Sequence, residues 1–459
     1  MARLTRVLNN SILAALLAAS WTSSAVGADT SVEGRVAYRH VTLIDGTGAP
    51  ARPGMTVFVR GELIEAVTRD RDVTATQLAG AESVDLRGRF LLPGLIDAYQ
   101  HLTFPPNHAR AVRLLRRDIY SGITAMLDRG GDDRIIAELD REARVGEIAG
   151  PDLYYVAMFG GHSLFATKKA RAATGGGWKP GTTPWAQAVG PDTDIKEAIT
   201  KARGTGASGI EIYGDLPPEL VRNLSAEARR QNLRVYAHAA VFPALPSDVI
   251  AAGPDTMEHT CYLTYQISSH PPQTHGEMRM KMHRVDPTPF AKGDNPVMAG
   301  LFREMRTKGI ILDPTLRVFA QFEREAAAAG TQPWCTVDLN AALTAQARRE
   351  GVMMTAGSDG DETPFSDPYP GLFEELDMLV AKAGFTPLEA IRSATQIGAM
   401  AIGEGNRMGV VAPGRIANLV VLKRDPVANI ANMRSVVLTI KRGKWFDRSD
   451  FWEQGLDWK

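Results

Sequence analysis

Eight short β-type runs, each divided from the next by helical patterning, fill the middle of this chain and set the narrowest limit on its fold. They lie near residues 91–99, 124–128, 153–157, 209–213, 235–238, 256–259, 310–313 and 352–359, with helices such as 218–231 between them. Strand alternating with helix favours a parallel α/β architecture, and eight such units close a TIM (β/α)8 barrel. The flanks have a different texture. RVAYRHVTLIDGTG (35–48) and MTVFVRGELIEAV (55–67) alternate apolar and polar residues around Gly and Asp turns, and GRIANLVVLKRD (414–425) and SVVLTIKRGKWF (435–446) repeat the pattern at the far end. Together they predict a small β-sandwich domain over 31–90 and 400–450, made by both chain ends, around a barrel over 91–399. Ionisable residues gather where the barrel strands end, the face on which barrel enzymes carry their active sites.

With 459 residues there is room for a barrel of roughly 250 and a satellite domain. The 52 basic residues balance 52 acidic ones, so no electrostatic footprint for nucleic acid exists and a small-molecule substrate is expected. Arg3 and Arg6, an apolar run over 12–19 and small residues over 25–28 read as a signal peptide over 1–28, removed on export to the periplasm or beyond. That run is shorter than the roughly 20 residues of a membrane span, so integral membrane association is not expected. Whether the chain forms a homo-oligomer stays open. Cys261 and Cys335 are the only cysteines, and their separation in sequence reads as two free thiols. Two stretches, 174–185 and 266–296, interrupt the rhythm as long loops, which form lids, substrate walls or surface insertions.

Three segments resemble the amidohydrolase superfamily, particularly its imidazolonepropionase-like and prolidase-like branches: FLLPGLIDAYQHL (90–102), SATQIGAMAIG (393–403) and MGVVAPGRIANLVVL (408–422). The resemblance runs from about Arg35 to the C-terminal strands, and it implies a metal-dependent hydrolase. In that family the first barrel strand ends in His-x-His, the fourth in a carboxylated Lys, the fifth and sixth in His and the eighth in Asp. His238 in VYAHA, His259 in TMEHT and Asp359 in AGSD stand at matching positions. Two positions depart: Tyr99, Gln100 and His101 replace His-x-His, and Glu211 in ASGIEIY replaces the Lys.

The resemblance therefore implies metal ligands among Glu211, His238, His259, His101 and Asp359, with one divalent ion favoured over two and zinc the expected metal. A His₂Glu set with an open position is a recognised zinc arrangement. Such an ion lowers the pKa of a water towards neutrality, and Asp359 would act as general base on that water and as acid to the leaving group. His162 in FGGHS, Tyr213 and Tyr99 are candidates for contact with the substrate. By strand alternation Tyr99 should point inward with His101, and Gln100 outward.

Each residue also has a plainer reading. Glu211 can be a barrel-mouth carboxylate paired with a basic side chain, His101 a hydrogen-bonding group and His162 a loop-packing residue. His270, His275 and His283 read as solvated or lid residues, and His40 and His108 as structural. The leading expectation is hydrolysis of an amide-type bond, in an N-acyl amino acid, a dipeptide or a cyclic amide. Two alternatives stay open: a degenerate amidohydrolase that binds a ligand without turning it over, and a binuclear Xaa-Pro-type dipeptidase with Glu211 bridging two ions.

Overall fold

The structure, a computed structural model, describes residues 34–453 apart from 105, 168–173, 176, 279, 292, 361–363 and 365. The expected signal peptide lies outside the described residues. Seven barrel strands follow in order: β1 (Leu95–Gln100), β2 (Ile123–Asp128), β3 (Asp152–Gly160), β4 (Gly209–Gly214), β5 (Arg234–His238), β6 (Thr256–Glu258) and β7 (Ile311–Asp313). Each pairs in parallel with the next. The eighth segment, expected over 352–359, makes one isolated bridge, Met354 to Leu312, yet it closes the ring. Its Thr355 N–H donates to Leu312 O at 3.0 Å, and on its other side Ala98 N–H donates to Ala356 O at 3.1 Å.

The side chains sort by alternation. Ile210, Ile212, Val235, Ala237 and Met257 face outward into the core shared with the helices. Glu211, Tyr236 and Glu258, their neighbours in sequence, therefore face inward. Below them Ile96, Ala125, Leu127 and Val156 pack with Ala399, Ile402 and Met408, so the lower barrel is an apolar plug rather than a pore.

Both chain ends meet in one hydrogen-bonded sheet of eight strands with a core of its own. At its centre Phe90–Pro93 pairs antiparallel with Leu419–Leu422 and parallel with Arg35–Leu43. The run expected as one strand over 91–99 is thus two, Phe90–Pro93 in this sheet and β1 in the barrel, divided at Gly94. A Cβ there would lie 2.2 Å from Thr124 Oγ1, so only glycine lets the chain pass from one sheet to the other. Among the described residues no helix is long and apolar enough to cross a membrane.

The reading of Cys261 and Cys335 as free thiols is corrected: they form a disulfide, with Cα atoms 6.6 Å apart. The turn after His259 and the start of the helix Val337–Arg349 both pack at the same barrel edge, so a separation of 74 residues in sequence vanishes in space.

Candidate active site

Four strand ends on the C-terminal face hold non-glycine residues in left-handed backbone: Asp215 (φ 62°), His259 (φ 66°), Thr315 (φ 52°) and Asp359 (φ 50°). Such conformations are unfavourable for L-residues and persist where the surroundings fix them. Here backbone ties do so, His259 N–H to Asp313 O and Asp359 N–H to Tyr99 O, each at 3.0 Å. Asp359 is further held from both sides, because the Arg317 guanidinium donates to the carbonyls of Ser358 and Gly360. Ser358 in turn donates its N–H and hydroxyl to Asp97 at 3.0 and 2.7 Å. Asp97 also accepts from Gln100 Nε2 at 2.9 Å, so Gln100 binds inside the protein between β1 and the eighth segment. Burial pushes the Asp97 carboxyl up to about 6, against the pull of its Ser358, Gln100 and Tyr99 donors.

At the mouth, two imidazoles face the two oxygens of Asp359: His101 Nε2 stands 3.4 Å from Oδ1, and His259 Nε2 3.8 Å from Oδ2. Their other nitrogens are anchored, His101 Nδ1 at 3.2 Å from the Gly130 carbonyl and His259 Nδ1 at 2.8 Å from the Thr315 hydroxyl. A carbonyl only accepts, so His101 Nδ1 carries a proton, and its buried Nε2 is the ring atom that faces Asp359. His238 stands beside them, its ring 4.8 Å from that of His259 and its Nε2 3.4 Å from the Tyr99 hydroxyl.

Tyr213 packs against His238 at 4.2 Å, and His275, from the insertion expected as a long loop, lies 5.5 Å from His238 and 5.4 Å from Tyr213. That placement is fixed where His275 N–H donates to Asp215. Tyr262 completes an aromatic surround against His259, backed by Trp334. His162 is exposed beside Gly190, and His270 is exposed with its carbonyl bonded to His283. His40 and His108 pair with Asp85 and Glu142.

Deeper in the barrel the geometry is dominated by a residue that sequence reasoning passed over. Arg129, rooted just after β2, is fully buried and crosses the interior. Its Nε donates to Ala98 O in β1 at 3.0 Å. Its guanidinium carbon lies 4.7 Å from the Tyr99 ring and 4.6 Å from the Tyr236 ring. Its Nη1 stands 3.7 Å from Glu211 Oε2 in β4 and in ion-pair contact with Glu258 in β6. Burial pushes Glu211 up to about 8 and Asp313 up to about 7, and in both Arg129 pulls the other way. Gly357 leaves room for this cluster, since a Cβ there would lie 2.2 Å from Asp313 Oδ2.

The structure thus brings Tyr99, His101, His238, His259, Asp359 and Tyr213 together at the mouth and sets Glu211 below them against Arg129. Arg129, Glu258, Thr315, Arg317 and His275 were not singled out from sequence for these roles. The one signal for the first two was position: an Arg directly after a predicted strand and a Glu directly before His259. For metal holding, the mouth donors fit a borderline ion such as zinc in type, and the anchored second nitrogens are those of ligand imidazoles. They are not drawn into a finished cage: among the described residues no three His, Cys, Asp or Glu side chains form a ready ion site.

Comparison with known proteins gives consistent likenesses. The model of the amidohydrolase family matches residues 90–446. An ochratoxinase of Aspergillus niger is 23% identical over 456 residues, covering 88% of this chain and 85% of the relative. The crystal structure of that organism's ochratoxinase superposes with a TM-score of 0.70 at 21% identity, covering 90% of this chain and 96% of the other. An imidazolonepropionase of Anaeromyxobacter dehalogenans is 24% identical over 395 residues, with 80% of this chain and 84% of the relative covered. A Xaa-Pro dipeptidase structure matches at TM-score 0.68 and 18% identity, over 90% of this chain and all of the other.

Proposed function

Because this chain belongs to the amidohydrolase family, hydrolases that act on carbon–nitrogen bonds of small molecules, we propose that it cleaves an amide-type bond at the barrel mouth with Asp359 as general base. The observation that carries this reading is the pair of anchored imidazoles, His101 and His259, facing the two oxygens of one carboxylate. In its neutral form, with the proton on Nδ1, His101 presents an Nε2 lone pair to a carboxylate oxygen, and a cation between the two would reconcile them. That arrangement fits a single divalent ion, zinc by donor type, held by His101, His259 and Asp359 with His238 beside them. When bound, the ion supplies Lewis-acid polarisation of the scissile carbonyl and of the attacking water.

The chain's own groups do the rest. Asp359, held by Arg317 and the Ser358–Asp97 link, takes the proton from the water and returns it to the leaving nitrogen. Tyr99 and Tyr213 offer hydroxyls and His275 an imidazole for the substrate's polar groups. The aromatic surround suits an N-acyl amino acid, dipeptide or cyclic amide with an apolar substituent. The relatives' names, an ochratoxinase, an imidazolonepropionase and a Xaa-Pro dipeptidase, support carbon–nitrogen cleavage as the reaction class. The Cys261–Cys335 bond supports export to an oxidising compartment as part of this proposal.

The test is turnover of a panel of such amides by the zinc-reconstituted protein and by Asp359→Asn. Activity in the parent and loss of it in the variant, compared at equal ion occupancy reached by adding zinc, is the expected result. Full activity in Asp359→Asn would overturn the assignment of the base.

A further inference from the structure

Glu211 and Glu258 face each other inside the barrel from β4 and β6, both fully buried, and two opposed carboxylates of this kind are themselves a donor pair for a divalent cation. The space between them is already taken. Arg129 reaches it from β2, in contact with both carboxylates, and its planar group is flanked by Tyr99 and Tyr236. A guanidinium is charged at every working pH and is more weakly hydrated than an ammonium, which suits it to a buried ion pair. Stacking on two tyrosine faces and bonding to the Ala98 carbonyl leave it a single orientation.

We propose that Arg129 is the resident cation of this inner site, taking the position between Glu211 and Glu258 that a second divalent ion would need, so that the barrel holds at most one ion, at the mouth. The assignment rests on the metal-dependent reading above only for that remaining ion. It also makes Glu211 a counterion rather than a ligand, and so separates this barrel from a binuclear one by a side chain that sits on neither the first strand nor the fourth.

The experiment is a zinc count per chain, by equilibrium dialysis and elemental analysis, on the full-length parent, Arg129→Gln, and Arg129→Gln combined with Glu211→Gln. The expected result is one ion in the parent, two in Arg129→Gln and one again in the double variant. Zinc should also raise the melting temperature of Arg129→Gln by more than that of the parent. Two ions in the parent would overturn the proposal, as would a folded Arg129→Gln that takes up no more than the parent. No ion in the parent but one in Arg129→Gln would sustain it while removing the mouth ion from the proposed function. If Arg129→Gln does not fold with zinc present, the parent decides: two ions overturn the proposal, and one or none sustains it.

Discussion

The inner layer and the mouth of this barrel hold buried negative charge in two different ways. In the inner layer Glu211 and Glu258 share a guanidinium carried by the chain itself, so the counter-charge comes from within. At the mouth Asp359 faces two imidazoles, each presenting a ring nitrogen whose partner nitrogen is already engaged. The inner layer carries a cation of its own, whereas the mouth, on the reading proposed above, takes its cation from outside. The difference teaches that charge near a barrel axis is not in itself evidence of an active site.

Four changes would break or sharpen this contrast. The largest effect is expected at the mouth, where Asp359→Asn should lower amide turnover by about 10²–10⁴-fold, the usual weight of a general base, with little change in melting temperature. A variant that lost stability instead would put Asp359 in the structural layer. In the inner layer Arg129→Met should do the reverse, costing about 3–5 kcal/mol of stability in chemical denaturation without added metal, because it strands two buried carboxylates. A cost below about 1 kcal/mol would show that the pair is not an ionic unit at all. Thr315→Val removes the anchor of His259 Nδ1 and should weaken zinc affinity by roughly 10–100-fold in competition with a chelator. Unchanged affinity would mean that His259 does not need its anchor to serve the mouth.

The smallest effect comes from a third way of holding a buried carboxyl. Asp133, the first residue of the helix Asp133–Val145 a few residues after Arg129, has a Thr205 hydroxyl at 2.8 Å, and burial raises its pKa well above the ordinary value of 3.8. The folded protein therefore keeps this proton when the unfolded chain has released it. Its contribution to stability is fully present below the unfolded value and is lost as the pH rises towards the folded one. Asp133→Asn should match the parent near pH 4 and exceed it at pH 8 in urea denaturation. Parallel curves for the two proteins would show that Asp133 ionises as easily in the fold as out of it.

Much of this was legible in the sequence, and what was not has identifiable causes. Alternation placed the seven strands and the closing segment, because buried β-runs bounded by helical patterns leave little else to choose from. It could not divide 91–99, since that run is apolar on both sides of Gly94 and the division is made by Thr124, a residue on another strand. His101, His238, His259 and Asp359 were legible as a group through the resemblance to the amidohydrolases, whose pattern places them at strand ends, and the barrel brings strand ends together. Arg129 was not, because what gives it meaning is the distance it spans to β4 and β6, and no local pattern encodes reach. The disulfide was hidden for the same reason: Cys261 and Cys335 are neighbours only once the helices around the barrel have packed. Glu211 stood out as a departure from a family pattern, and its plainer reading, a carboxylate paired with a basic side chain, is the contact the structure contains.

The sheet shared by both chain ends has a consequence for the order in which the protein is made. Phe90–Pro93 leaves the ribosome early, but its partner Leu419–Leu422 comes only after the entire barrel has been translated. Until then the early half of the sheet exposes an unpaired apolar edge, the kind that recruits other chains. A nascent or truncated chain ending before Leu419 should therefore be far more prone to aggregate than the finished one, and a slow step in biogenesis would be the closing of this seam rather than the building of the barrel it encloses.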